Sequence, residues 1–153
     1  MTQDQWKPFQ VLVIPYVWQS DGFAYCLFRR SDFGYLQGVA GGGEPGETPL
    51  GAAKRELIEE ANPKELINIF QLKAMCSVPA FHFSHDNWPK TDLVIPEYSF
   101  GAQLGRKEVS LSFEHSEKQW LPYEEATESL KWDSNKTALW ELNETLCELQ
   151  QLK

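Results

Sequence analysis

No apolar run in this chain could span a bilayer. The longest, VLVIPYV at residues 11–17, is interrupted by Pro15, whereas a membrane helix needs about 20 apolar residues. The opening residues MTQDQWKPFQ lack the basic start and apolar stretch of a secretory signal. A soluble protein is expected. Cysteine is scarce: Cys26, Cys76 and Cys147 are odd in number and widely spaced, with no Cys-x-x-Cys pair and no zinc spacing. They read as reduced thiols in or near a core, which points to a cytoplasmic protein. Positive charge is short too. The 14 Lys and Arg against 22 Asp and Glu leave a formal charge of −8, which repels nucleic acid backbones and argues against a polymer-binding module. A small phosphorylated partner remains compatible, provided that bound metal and a few local cations reverse the field in a cleft.

What is present suffices for a core. A length of 153 residues with 42% hydrophobic and 13% aromatic content predicts one domain over residues 1–153. Residues 9–18 are β-rich, Ser20-Asp21-Gly22 is a turn signal, and residues 23–28 complete a hairpin. Further strands are expected at 69–77, 96–104 and 118–121, with helices at 123–130 and 134–152. Periodicity alone gives α plus β.

The chemistry concentrates at residues 41–63, GGGEPGETPLGAAKRELIEEANP. A glycine-rich turn runs into a helix with Thr48 as N-cap, Pro49 at the first helical position, and Leu50, Ala53 and Leu57 as its apolar face. Glu56, Glu59 and Glu60 stand at i, i+3 and i+4, so they share one helical face. Like charges so placed repel unless something positive sits among them, and an oxygen-only set suits a hard cation such as Mg²⁺, with Mn²⁺ an alternative. A solvated acidic face would not account for Glu47 and Arg55 at fixed offsets. Gly41-x-Gly43-x-x-Gly46 matches the dinucleotide glycine pattern by letter, but Glu44 and Glu47 would oppose a pyrophosphate there. The chain has no Gly-Lys-Ser/Thr, which excludes a P-loop.

Gly41, five residues, Glu47, seven residues and Arg55-Glu56-Leu57-Ile58-Glu59-Glu60 together resemble the Nudix box. Asn62 stands where that family has Gly, and Pro63 where it has an aliphatic residue. Asn accepts a left-handed helix cap and Pro can follow a helix end, so the exit from the helix changes while the acidic face is kept. The resemblance implies the Nudix fold, an α/β/α sandwich around a mixed sheet, and a metal-dependent hydrolase of phosphoanhydrides. It places the metal at Glu56, Glu59 and Glu60. Glu47 and Arg55 are expected to be structural, paired to orient the loop, while Gly41, Gly42 and Gly43 let the backbone approach metal and phosphate.

The tail over residues 113–142 resembles that of bacterial dihydroneopterin triphosphate diphosphatases, which are Nudix enzymes, in the order of Phe113, Glu114, His115 and Trp120 and in Trp132-Asp133-Ser134-Asn135. That likeness carries a catalytic carboxylate to Glu114, beside Glu56 and Glu59. A solvated loop residue is the competing reading, with Glu117 and Glu97 as alternative bases. Arg29 and Arg30 end the second strand on opposite faces, and Arg29 is the candidate for a substrate phosphate. Phe33, Tyr35, Phe81 and Trp88 could stack on a ring, although aromatic residues more often belong to the core. His82-Phe83-Ser84-His85-Asp86 offers too few ligands for a transition-metal site. The expected substrate is dihydroneopterin triphosphate or a (deoxy)nucleoside triphosphate. Dinucleoside polyphosphate hydrolysis and a non-catalytic nucleotide sensor are the alternatives. The assembly compatible with this reading is a homodimer.

Overall fold

The computed structural model describes residues 6–83, 88, 89 and 92–151. Strand β1 (Gln10–Gln19) lies at the centre of the sheet and is buried along eight of its ten residues, as a strand covered on both faces should be. Its alternation splits the core in two. Val11, Val13 and Val17 enter one apolar cluster, and Leu12, Ile14 and Tyr16 enter the other.

Around it run β2 (Gly22–Arg30), β3 (Leu36–Gln37), β4 (Val39–Gly42), β5 (Leu66–Pro79), β6 (Val94–Leu104) and β7 (His115–Leu121). The main path is β3-β2-β1-β6-β5, with β4 paired to β1 and β7 to β2. Among these strands β1 and β6 pair in parallel and the other ladders are antiparallel, while an isolated parallel bridge joins Leu36 to Leu130. The sheet is therefore mixed. Helix α1 (Pro49–Ala61) packs on the Val11 face, and α2 (Tyr123–Ser129) and α3 (Asp133–Gln151) cover the Leu12 face. This is the three-layer arrangement expected.

Local chemistry fixes the ends of α1. The Thr48 hydroxyl accepts from the Gly51 N–H at 3.1 Å, and Pro49 opens the helix. Asn62 closes it at φ 38°, in the left-handed region, and its N–H reaches the carbonyls of Leu57 and Ile58. Asn can hold that conformation because its short polar side chain bonds locally. One expectation is corrected: Leu50 is exposed, and the buried apolar stripe is Ala52, Ala53, Leu57 and Ala61. The two alanines bring the helix axis close to the sheet. The strand expected at 69–77 extends at both ends, and the one at 118–121 begins three residues earlier, at His115.

Candidate active site

The acidic residues of α1 do not all face water. Glu56 and Glu60 are buried beside the alanine stripe, whereas Glu59 is exposed. The cause is β4. Gly41 pairs with Val11 and lies directly beneath the Glu56 carboxylate, so close that a Cβ on Gly41 would overlap it. One turn further along α1, the Ala40 N–H donates to Glu60. Missing side-chain volume on β4 lets two carboxylates settle against the sheet.

Arg55 organises the turn around them. Its Nε and Nη2 donate to both oxygens of Glu47 at 2.8 and 2.9 Å, and Nη2 also reaches the Gly42 carbonyl at 2.9 Å. Nη1 donates to Glu56 at 2.8 Å and to Glu59 at 3.2 Å. Glu47 in turn accepts the Glu44 N–H, closing the loop. Two tryptophans pin the same segment, Trp6 to the Glu47 carbonyl at 3.1 Å and Trp88 to the Gly43 carbonyl at 2.9 Å. Nothing local in the sequence signals those indole contacts. Trp88 is buried, so it braces the turn instead of offering a stacking face.

Glu114 joins this group from the turn just before β7, the strand paired with β2. The Ser31 N–H donates to its carbonyl at 2.9 Å, and its own N–H donates to the Ser112 hydroxyl at 3.3 Å. Its carboxyl lies close enough to that of Glu60 to favour a proton shared between them. Burial pushes Glu60 up to about 10, helped by that sharing and by the charges of Glu56 and Glu114. Burial also raises Glu56 to about 7, against the pull of Arg55. Arg55 holds Glu47 below its ordinary value.

The residues fit a hard divalent cation on their chemistry. Every donor is an oxygen, and Glu60 Oε2 is buried with no hydrogen-bond partner, the condition a cation relieves. Among the described residues, no three acidic, histidine or cysteine side chains already form a metal-binding group; the carboxylates approach one another in pairs.

Other expected residues are placed elsewhere. Arg29 pairs with Glu117 and donates to the Gly34 carbonyl at 2.6 Å, while Arg30 forks onto Asp32. Glu97 lies on β6, on the α3 side of the sheet, paired in register with Gln10. Phe33 and Tyr35 are nearly parallel at 6.0 Å, with Trp132 edge-on to Tyr35. Phe81 is exposed. Ser84, His85 and Asp86 lie outside the described residues, as does the His82 side chain.

A mixed sheet between helices, with a glycine turn feeding an arginine-centred carboxylate helix, defines a hydrolase class. Residues 8–140 match the NUDIX domain, and the chain belongs to the Nudix family, hydrolases that act on phosphoanhydrides. A solved Nudix hydrolase from Listeria monocytogenes is 44% identical, covers 94% of this chain and 97% of its own, and superposes with a TM-score of 0.82. The Escherichia coli dihydroneopterin triphosphate pyrophosphohydrolase is 23% identical, with 90% and 95% coverage and a TM-score of 0.73. A Caenorhabditis elegans Ap4A hydrolase is 19% identical, with 92% and 98% coverage and a TM-score of 0.69. These last two share the fold. Comparison with curated proteins gives no match. Among the described residues, no helix is long and apolar enough to cross a membrane.

Proposed function

We propose that this chain is a Mg²⁺-dependent pyrophosphohydrolase that cleaves a phosphoanhydride of a nucleoside-triphosphate-like substrate, either dihydroneopterin triphosphate or a (deoxy)nucleoside triphosphate. The observation that carries the reading is the approach of buried Glu56 and Glu60 to Glu114, next to a glycine turn whose bare Gly41 makes room for the Glu56 carboxylate. Arg55 donates to Glu56, whereas Glu60 keeps an oxygen without a partner, so the carboxylates remain short of positive charge in a way that suits Mg²⁺ or Mn²⁺. Glu56, Glu59 and Glu60 would hold the ion. When bound, it would neutralise charge that develops on phosphoryl oxygens.

The remaining work falls to the protein. Glu114 or Glu56 would take the proton from an attacking water. Arg55 holds the loop so that the Gly41, Gly42 and Gly43 backbone can lie along the phosphates. Arg29 can meet a phosphate only in competition with Glu117, so its part is to bind substrate and not to transfer protons.

The test is a panel of triphosphates and dinucleoside polyphosphates with Mg²⁺, scored for pyrophosphate against phosphate release, with a chelator as control. Pyrophosphate release that chelation abolishes is the expected outcome. Tight nucleotide binding without turnover would turn the reading to a sensor, and full turnover without metal would remove the metal from it.

A further inference from the structure

Strand β5 ends the sheet path and, among the described residues, bonds to β6 alone. Leu72 is the one buried residue along its length, and Leu66, Ile67 and Met75 are 37%, 56% and 59% exposed. One row of its backbone N–H and C=O groups therefore faces outwards with no strand beside it. Ile69 packs towards the α1 side of the sheet and Phe70 towards the α3 side, so the edge is apolar on both faces.

Edge strands stay single when a charge, a proline or a bulge on the open side blocks a second strand. Residues 66–72, LINIFQL, contain no charged residue and no proline. The ladder to β6 is irregular at the two ends of this run, between Leu66 and Asn68 and between Gln71 and Met75, and regular over residues 68–71. The second irregularity is drawn onto α3, where the Glu141 carboxylate accepts the N–H groups of Lys73 and Ala74 at 2.8 and 2.7 Å. The open side of residues 68–71 carries none of the usual blocks.

We propose that this edge pairs with the same edge of a second copy of the chain, continuing one sheet across a twofold interface. A twofold axis perpendicular to the sheet makes the two β5 strands antiparallel and keeps each face on its own side. Residues opposite one another in a ladder share a face, so the axis must pass between one residue and its own copy. Centred on Ile69, the pairing sets Ile69 against its copy, Asn68 against Phe70, and Glu65 against Lys73 at both ends. Centred on Asn68 or on Phe70, it would set Glu65 against Gln71 or Met75, and no opposite charges would meet. Neither Glu65 nor Lys73 has an ion-pair partner among the described residues. A chain of charge −8 repels its copy over most of its surface. An uncharged strand flanked by complementary charges is the face on which a second copy can settle.

Sedimentation of the full chain from low to high micromolar concentration should show the monomer giving way to a species of twice its mass. Hydrogen exchange at the two ends of that series should show the amides of residues 66–72 slowed in the dimer. Lys73→Glu and Glu65→Lys each place like charges opposite one another at both ends, and each should weaken dimerisation by about 10-fold or more. Combined, they restore opposite charges and should return the affinity to within a few-fold of wild type. Glu65→Lys is the sharper single variant, because it brings the net charge closer to zero and would strengthen an association limited by overall repulsion alone. Melting temperatures measured alongside check that each variant is folded. A chain that stays monomeric throughout, with fast exchange at residues 66–72, overturns the proposal and leaves the edge to a different partner. A dimer protected elsewhere, one that both single variants leave intact, or one that the double variant fails to recover overturns it as well.

Discussion

Arg55 grips Glu47 with a two-pronged fork, Nε to Oε2 at 2.8 Å and Nη2 to Oε1 at 2.9 Å. The pair is largely shielded from water, the two side chains being 22% and 21% exposed, and it joins the glycine turn to the helix that carries the carboxylates. A lysine could supply the charge but not the fork. Arg55→Lys should therefore cost about 1.5–3 kcal/mol, the range for a hydrogen bond to a charged group. For a chain of this size that corresponds to roughly 3–12 °C in Tm. Turnover should fall as well, since Arg55 also orients Glu56. A Tm and kcat both equal to wild type would show that the fork does not hold the turn.

The same pair sets an acid limit. Glu47 titrates below its ordinary 4.5 in the folded protein because of Arg55, so its contribution to stability is complete above the unfolded value and is lost as pH falls through the folded one. Thermal melts between pH 6 and pH 3 should show that loss in the wild type, and Glu47→Gln should flatten the slope. A Glu47→Gln profile parallel to wild type would rule out this source of acid sensitivity.

Glu60 has the opposite sign. Burial lifts its folded value from 4.5 to about 10, so across that window the unfolded chain has lost a proton that the folded chain keeps. Stability of the chelated protein should accordingly fall as pH rises from 5 to 9. Glu60→Gln removes the burial penalty and should raise the chelated protein's Tm at pH 8 while lowering turnover by orders of magnitude. Mg²⁺ should stabilise the wild type most at the alkaline end, where it relieves the charge, and should do little for the variant. A metal effect independent of pH and of Glu60 would contradict this placement.

Gly41 is the steric counterpart of that burial. Since a Cβ there would overlap the Glu56 carboxylate, Gly41→Ala must displace either β4 or α1. Metal affinity and kcat should both drop by about 10-fold or more, with a stability loss in the roughly 1–3 kcal/mol range of overpacked cores. Wild-type metal affinity in Gly41→Ala would mean that Glu56 can move without consequence.

Helix α1 was readable because its determinants are local: a hydroxyl at Thr48, proline at 49, and an Asn at 62 that tolerates φ 38°. The acidic face was readable for the same reason, from spacing alone. Its burial was not, because it depends on which strand lies beneath the helix, and Gly41 becomes that strand only by pairing with Val11 thirty residues earlier. Trp88 and the Gly43 carbonyl are likewise joined over 45 residues. Leu50 misled because an apolar residue in the first turn fits the helical period, yet the sheet does not extend beneath it. The pocket lined by Leu12, Cys76, Glu97 and Ser134 needs four elements distant in sequence, β1, β5, β6 and α3, to be placed together.

The most exposed expectation concerns Glu114, which lies outside the helix motif. Its approach to Glu60 depends on the pairing of β2 with β7 and on the Ser31 N–H that fixes its backbone. If Glu114 takes a proton from the attacking water, Glu114→Gln should lower kcat by about 10²-fold or more and leave KM nearly unchanged, the pattern of a group that acts in the transition state. Glu117 is the control, since it is bound to Arg29 and not to Glu60. Glu117→Gln should alter KM, if anything, by freeing Arg29, and should leave kcat within a few-fold of wild type. Should Glu117→Gln prove the crippled variant, with Glu114→Gln active, the base would have to be reassigned to the Arg29 side of β7, and the closeness of Glu114 to Glu60 would be left with a structural role.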